Sequence, residues 1–261
     1  MEERSLDQIQ SRDKTLFFSG TSGIVLPFPS KQFYPLEFQD KSRLTYYGTL
    51  FNSVEINSSF YKVPMASTVA KWASEVPEDF RFTFKLWKEI THIKGLDFNP
   101  EDVDRFIKTI SQVGHKKGCL LVQFPPGIKI LSLEKVDQLL RCIQDADPDD
   151  TWKVVLEFRN NSWYQESTFD LLNQYHAGMV IHDKTGSATP FTDVIGSVVY
   201  VRFHGPNGNY RESYAESFLY EYAQYIQEWK DAGKVVYVYF NNTMGDAVDN
   251  LKTLNSFLYS E

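Results

Sequence analysis

Seven apolar runs of this 261-residue chain end in polar or charged residues. They read Val54-Glu55-Ile56-Asn57, Phe84-Lys85-Leu86-Trp87, Val122-Gln123-Phe124, Leu156-Glu157-Phe158-Arg159, Ile181-His182-Asp183, Val201-Arg202-Phe203-His204 and Tyr239-Phe240-Asn241-Asn242. In an extended chain side chains alternate between faces, so Glu55 with Asn57, Glu157 with Arg159, and Arg202 with His204 each share a face. Ile56, Phe158 and Phe203 point the other way. The common phase predicts one convergent cluster of carboxylates (Glu55, Glu157, Asp183), permanent cations (Lys85, Arg159, Arg202) and histidines (His182, His204). Such a set binds an anionic or sugar-like ligand through arginine and lysine while a glutamate or histidine moves protons. On this reading Glu55, Glu157, Asp183 and His204 carry catalysis, with a glutamate as acid or base and His204 as proton shuttle. Lys85, Arg159 and Arg202 clamp the anion, and Asn57, Gln123, His182, Asn241 and Asn242 complete the lining. Tyr61 and His92, just past the second and third runs, add polar atoms. Trp163, with Trp87 and Tyr210, offers a stacking wall for a ring.

Other arrangements use the same residues. A structural network would set Glu157 against Lys85 or Arg159, and Glu55 against Arg202. Buried pairs of that kind contribute little over apolar packing, and a layer without a task is more simply filled with Val, Ile and Leu. Sites trade stability for function, so Glu157→Gln and Arg202→Ala are expected to leave the protein folded. A divalent metal on Glu55, Glu157, Asp183 and His204 is opposed by three fixed cations, and the chain has no His-x-x-x-His or Cys-x-x-Cys pair. No cofactor is therefore expected. The glycine-containing stretches Gly205 to Asn209 and Asn241 to Asp246 fall where barrels often bind phosphate, since glycine lets backbone approach closely; Asp246 there reads as a helix cap.

These residues need a scaffold that gathers strand ends. Eight β-branched and aromatic runs recur at 15–19, 53–57, 81–86, 118–124, 153–158, 178–182, 198–203 and 234–240. Several are almost continuously apolar, as strands covered on both faces are. Helical patterns lie between them. Asn99-Pro100-Glu101-Asp102 caps and opens one, Val103, Phe106, Ile107 and Ile110 form its apolar face, and Gly114 stops it. Ser132 opens a helix over 133–143, Gly233 ends one over 214–232, and 246–259 closes the chain; 40–50, 67–76 and 167–176 are weaker. Only 188–196 is too short for a full helix. Eight such units, with no Gly-x-Gly-x-x-Gly after the first strand, predict one α/β domain: a TIM-like (β/α)8 barrel of parallel strands over residues 15–261, behind a short N-terminal arm at 1–14.

Composition removes several classes. The net charge of -7 disfavours a general nucleic-acid coat. A nucleic-acid-binding or repair-type protein, including a metal-dependent phosphodiester hydrolase, is the second reading of the same mouth. No apolar run approaches the ~18 residues of a membrane span, so no membrane partner is expected. Two cysteines and a polar N-terminus without an apolar block predict a cytoplasmic protein with no disulfide framework.

The motifs also resemble a known family. Gly20-Thr21-Ser22-Gly23, Phe33-Tyr34-Pro35, the stretch Phe51 to Tyr61, Thr91-His92, Gln123 to Pro126, Glu157-Phe158-Arg159 with Ser162-Trp163, Arg202 to Gly205, and Phe240-Asn241-Asn242 are similar to the YecE-like family, domain of unknown function 72. The resemblance spans nearly the whole chain and implies a TIM-like barrel without supplying a reaction. Its shape has been likened to barrels of the xylose-isomerase and endonuclease-four type. This chain departs from the family in having Ile24, and no tryptophan around Phe28 to Gln32, where the family places tryptophans.

Overall fold

The eight runs become eight strands in a computed structural model that describes residues 16–190 and 196–259. The strands are β1 Phe17–Thr21, β2 Ser53–Ile56, β3 Arg81–Lys85, β4 Lys117–Gln123, β5 Lys153–Glu157, β6 Gly178–His182, β7 Val198–Phe203 and β8 Val235–Phe240. All neighbours are parallel, in the order β1-β8-β7-β6-β5-β4-β3-β2. A bridge between Ser22 and Glu55 brings β1 back to β2, so the sheet is a nearly closed barrel. Around it lie α1 Arg43–Leu50, α2 Ala66–Ser74, α3 Pro100–Ile110, α4 Leu133–Ala146, α5 Glu166–Gln174, α6 Glu216–Asp231 and α7 Ala247–Tyr259. Between β6 and β7 the described residues carry a turn and no helix. Residues 191–195 of that connection, like the arm at 1–14, lie outside the described residues.

Local chemistry accounts for these boundaries. The Asn99 side chain accepts from the Glu101 N–H (3.1 Å), opening α3, and Gly114 takes φ +64° beyond its end. Val103, Phe106, Ile107 and Ile110 are buried on the face of α3 toward the sheet. Helix α1 starts later than its pattern suggested, because Ser42 caps it by accepting from the Thr45 N–H (3.0 Å).

The two faces of the strands separate as the alternation predicts. Phe18, Cys119, Leu121, Val155, Val180, Val198, Tyr200, Tyr237 and Tyr239 fill the barrel interior. Ile56, Phe158 and Phe203 belong to the larger core between sheet and helices. Above the apolar floor comes a layer of hydroxyls, where the Tyr239 hydroxyl meets Ser53 Oγ (2.5 Å) and Thr83 Oγ1 (2.9 Å). Charged residues begin above that layer.

Side chains close much of the β1–β2 seam. Asn52 accepts from the Ser19 N–H (2.9 Å) and donates to the Phe17 carbonyl (2.9 Å), standing in for a strand. The Tyr47 hydroxyl accepts from the Thr21 N–H (2.8 Å) and donates to the Ser53 carbonyl (3.0 Å). Gly20 makes room for this, since a Cβ there would lie 2.0 Å from the Ser53 carbonyl oxygen and 2.8 Å from the Tyr47 hydroxyl. Asn52→Ala leaves two backbone groups of β1 without these partners and is expected to cost about 1–3 kcal/mol in urea unfolding. A loss below about 0.5 kcal/mol would mean that water replaces the side chain.

Candidate active site

The strand alternation delivers the charged residues to the C-terminal mouth of the barrel, with Arg202 at the centre. Its Nε and Nη2 donate to the two oxygens of Glu55 (2.9 and 2.7 Å), and its Nη1 donates to Glu157 Oε2 (2.6 Å). The guanidinium thus joins β2, β5 and β7. Glu55 accepts two further bonds, from the Ser22 hydroxyl (2.6 Å) and the Tyr200 hydroxyl (2.5 Å). Four donors on two oxygens fill its lone pairs.

Charge follows this geometry. Burial alone would raise the Glu55 carboxyl, but Arg202 and the donors around it outweigh burial and hold it below its usual range. Glu157 is held well below, because Arg202 and then Arg159 act against its burial. Arg202 is raised well above its usual value, since its two glutamates outweigh its own burial. All three are fully ionised at neutral pH.

A second tier faces outward from this triad. Arg159 Nη2 contacts Glu157 Oε1 and donates to His204 Nε2 (2.9 Å). The contact with Glu157 is close but poorly aligned, leaving Oε1 without a hydrogen bond of good geometry. His204 donates from Nδ1 to Asp183 Oδ1 (3.2 Å), which also accepts the His204 N–H (2.7 Å). That bond fixes the tautomer with Nε2 as acceptor. The Tyr214 hydroxyl holds the other oxygen of Asp183. Burial lowers His204 to about 4 despite Asp183, so the ring is neutral at pH 7.

Lys85 enters from β3. Its Nζ lies over the Phe60 ring, 4.1 Å from the centre. Burial and then Arg202 push it down to about 8. His92 meets the same Phe60 ring at 4.8 Å, nearly perpendicular, and its Nδ1 pairs with the Thr91 hydroxyl (2.8 Å). Burial and then Lys85 lower His92 to about 4.

Gln123 stands beside Glu157 in register and donates to the Phe124 carbonyl (2.8 Å). With Arg159 it lines a cavity of about 390 Å³ that Lys184, Thr185, Ser187 and Tyr210 also enclose. Lys184 Nζ sits 4.2 Å from the centre of the Tyr210 ring, which itself packs 5.6 Å from His204. Tyr210 is therefore an aromatic wall of the mouth.

Several expected residues sit elsewhere or are already engaged. Trp163 is fully buried in the outer core, stacked on Phe158 at 4.5 Å with its N–H on the Ile128 carbonyl (2.8 Å), and it has no face for a ligand. The stacking wall expected of it is corrected accordingly; its odd-phase neighbour Phe158 draws it into the shell. His182 donates from Nε2 to the Phe158 carbonyl (3.0 Å) and accepts the Lys184 N–H (3.2 Å) at Nδ1, so both its nitrogens serve backbone. Asn242 is buried and donates to Glu212 O and Asn250 Oδ1 (both 2.9 Å), tying down the loop after β7. Tyr61 is 69% exposed and packs on Phe60. Asn57 precedes the single helical turn Ser58–Tyr61, and Asn241 follows β8; both are partly buried. The glycines after β7 and β8 serve loop packing. A Cβ on Gly205 would meet Arg211 O at 2.3 Å, and one on Gly245 would meet Glu212 O at 2.4 Å.

The carboxylates face guanidinium and hydroxyl donors, a set that does not fit a divalent cation. Among the described residues no group of three or more His, Cys, Asp or Glu side chains is gathered around a common point. Tyr200 and Tyr214 were missed. Tyr200 lies two residues before Arg202 on the same face, so the alternation already pointed to it. Tyr214, expected as the first residue of the helix over 214–232, instead lies in the loop just before α6, which starts at Glu216, and no local signal marks it for the site.

Comparison with known proteins agrees with this architecture. The UPF0759 protein YunF of Bacillus subtilis (strain 168) is 29% identical over 256 residues, covering 86% of this chain and 89% of its own. A DUF72 family protein from Enterococcus faecalis V583 superposes with a TM-score of 0.75 at 22% identity, covering 94% of this chain and 96% of that one. A xylose isomerase domain containing protein from Salmonella typhimurium LT2 shares the fold more distantly, with a TM-score of 0.50 and 14% identity over 94% of this chain and 97% of that one. No described helix is long and apolar enough to cross a membrane. The family model described as protein of unknown function DUF72 matches residues 18–261, and the chain belongs to that family.

Proposed function

We propose that the protein is an enzyme whose barrel mouth binds a small anionic ligand, carboxylated or phosphorylated, and performs acid–base chemistry on it. The observation that carries this reading is Arg159. Its side chain is 9% exposed, its Nη2 is held by Glu157 and His204, and it lines the cavity of the mouth. Its Nε and Nη1 make no hydrogen bond among the described residues. A guanidinium pinned at one end with free N–H groups at the other is preorganised for an incoming oxyanion.

The glutamates then act as anchors. Glu55 and Glu157 fix Arg202 and Arg159, and their lowered acidities suit permanent counter-ions better than proton carriers. Proton transfer falls to neutral groups at the rim, of which His92 is exposed with no hydrogen bond to its Nε2 among the described residues. His204, oriented by Asp183, sets the position of Arg159.

Titration of the protein with inorganic phosphate and with acetate tests this reading. Saturable binding is expected, weakened about tenfold or more in Arg159→Gln, as loss of a charge-assisted contact of about 1.5–3 kcal/mol requires. Equal binding by both proteins would refute the role of Arg159.

A further inference from the structure

We propose that Lys85 is a carbonyl-trapping amine: its Nζ forms an imine with an aldehyde or ketone carbon of the ligand, the best-matched class being a 2-oxo acid whose carboxylate lies on Arg159. The proposal rests on the anionic-ligand reading and names its substrate class.

Placement comes first. Lys85 pairs in register with Leu121, whose side chain is in the barrel interior, so Lys85 also points inward. It sits at the C-terminal end of β3, partly buried, with Nζ against the Phe60 ring. Among the described residues Nζ makes no hydrogen bond or ion pair, although Glu55 on β2 and Glu157 on β5 face the same space. Those carboxylates are committed to Arg202, Ser22, Tyr200 and Arg159. The other charged groups near Lys85 are Arg202 on β7 and Arg159 on β5, both repelling a proton there; His92, titratable but neutral, is also near.

Burial beside fixed positive charge is the environment that makes a lysine nucleophilic. With the amine pushed down to about 8, its free-base fraction at pH 7 exceeds that of an ordinary lysine by on the order of 100-fold. An anchoring role for Lys85 would have called for a carboxylate ion pair, and among the described residues Nζ makes none, lying instead over the Phe60 ring.

The step balances without an external oxidant. The nitrogen lone pair forms the C–N bond while the carbonyl π pair moves to oxygen. One amine proton passes to that oxygen through His92, giving a neutral carbinolamine. A proton from solvent then lets the oxygen leave as water while nitrogen closes the C=N bond, leaving a protonated imine.

Incubating the full-length protein with pyruvate and cyanoborohydride at pH 7, then mapping adducts by peptide mass spectrometry, tests the step; propionaldehyde serves as an uncharged second probe. The expected result is a reduced adduct on Lys85 formed at least tenfold faster than on any other lysine. Its rate should rise with pH through a midpoint near 8, and Lys85→Arg should carry no adduct at that position. Labelling of Lys85 by propionaldehyde but not pyruvate would uphold the amine and contradict the anionic-ligand reading. Labelling at Lys85 no faster than at surface lysines with both probes overturns the proposal.

Discussion

Arg202→Ala is expected to destabilise the protein by about 3–5 kcal/mol at pH 7, the cost of stranding buried charge. For a domain of this size that lowers Tm by on the order of 10 °C. The guanidinium is 1% exposed and spends three nitrogens on two glutamates that are themselves fully buried. Its removal leaves Glu55 with only the Ser22 and Tyr200 hydroxyls, and Glu157 with only Arg159. Neither carboxylate is exposed to solvent. Lysine at this position supplies one nitrogen where three are used, so Arg202→Lys recovers only part of the loss. The double variant Glu55→Gln, Arg202→Ala isolates the cause, because the arginine should matter less once one carboxylate is neutral. A loss below about 1 kcal/mol in Arg202→Ala, or strict additivity in the double variant, would contradict this description. The alternation placed Arg202 in the cluster and suggested that its loss would be tolerated. Its burial argues for a loss of stability instead; on the proposed reading the triad is a platform for Arg159, Lys85 and His92.

His204→Gln is expected to remove a pH dependence rather than simply lower stability. The folded ring is pushed from 6.5 to about 4, so below pH 6.5 the unfolded chain takes up a proton that the folded chain refuses. Stability from this source is fully present above pH 6.5 and falls as pH drops toward 4, by about 3 kcal/mol for a ring so thoroughly buried. His182 is lowered in the same direction by its own burial and keeps part of the slope in the variant. Glu55 and Glu157 act in a different window. Their folded acidities are depressed, so their contribution is complete above the unfolded value near 4.5 and disappears only as pH falls below it. Urea unfolding at a series of pH values separates the two. The stability difference between wild type and His204→Gln should shrink by about 3 kcal/mol between pH 7 and pH 4, and parallel curves would contradict a neutral buried His204.

Much of this was legible in the sequence because strands impose a period of two. Once Glu157 and Arg159 share a face, Phe158 must join the shell, and seven strand ends in phase locate the mouth from the sequence alone. The shortened connection after β6 was equally visible, since 188–196 is too short for a full helix, and the described residues of that connection carry none. Contacts between distant segments were not legible. Trp163 follows Arg159 by four residues, yet the turn there carries it into the shell, and no local pattern distinguishes that from a wall of the pocket. Asn52 reads as a loop residue until β1 is found using its amide in place of a neighbouring strand. Glycines after β7 and β8 suit a phosphate or a second loop equally, and only the Arg211 and Glu212 backbones decide between them.

The central claim is that Arg159, held from behind by Glu157 and His204, presents an anion site at the barrel mouth. Anomalous diffraction from crystals soaked briefly in bromide tests it most directly. A strong peak is expected within hydrogen-bonding distance of Arg159 Nε or Nη1, lost in Arg159→Gln crystals treated identically. Peaks confined to surface lysines, with nothing at the mouth, would contradict it.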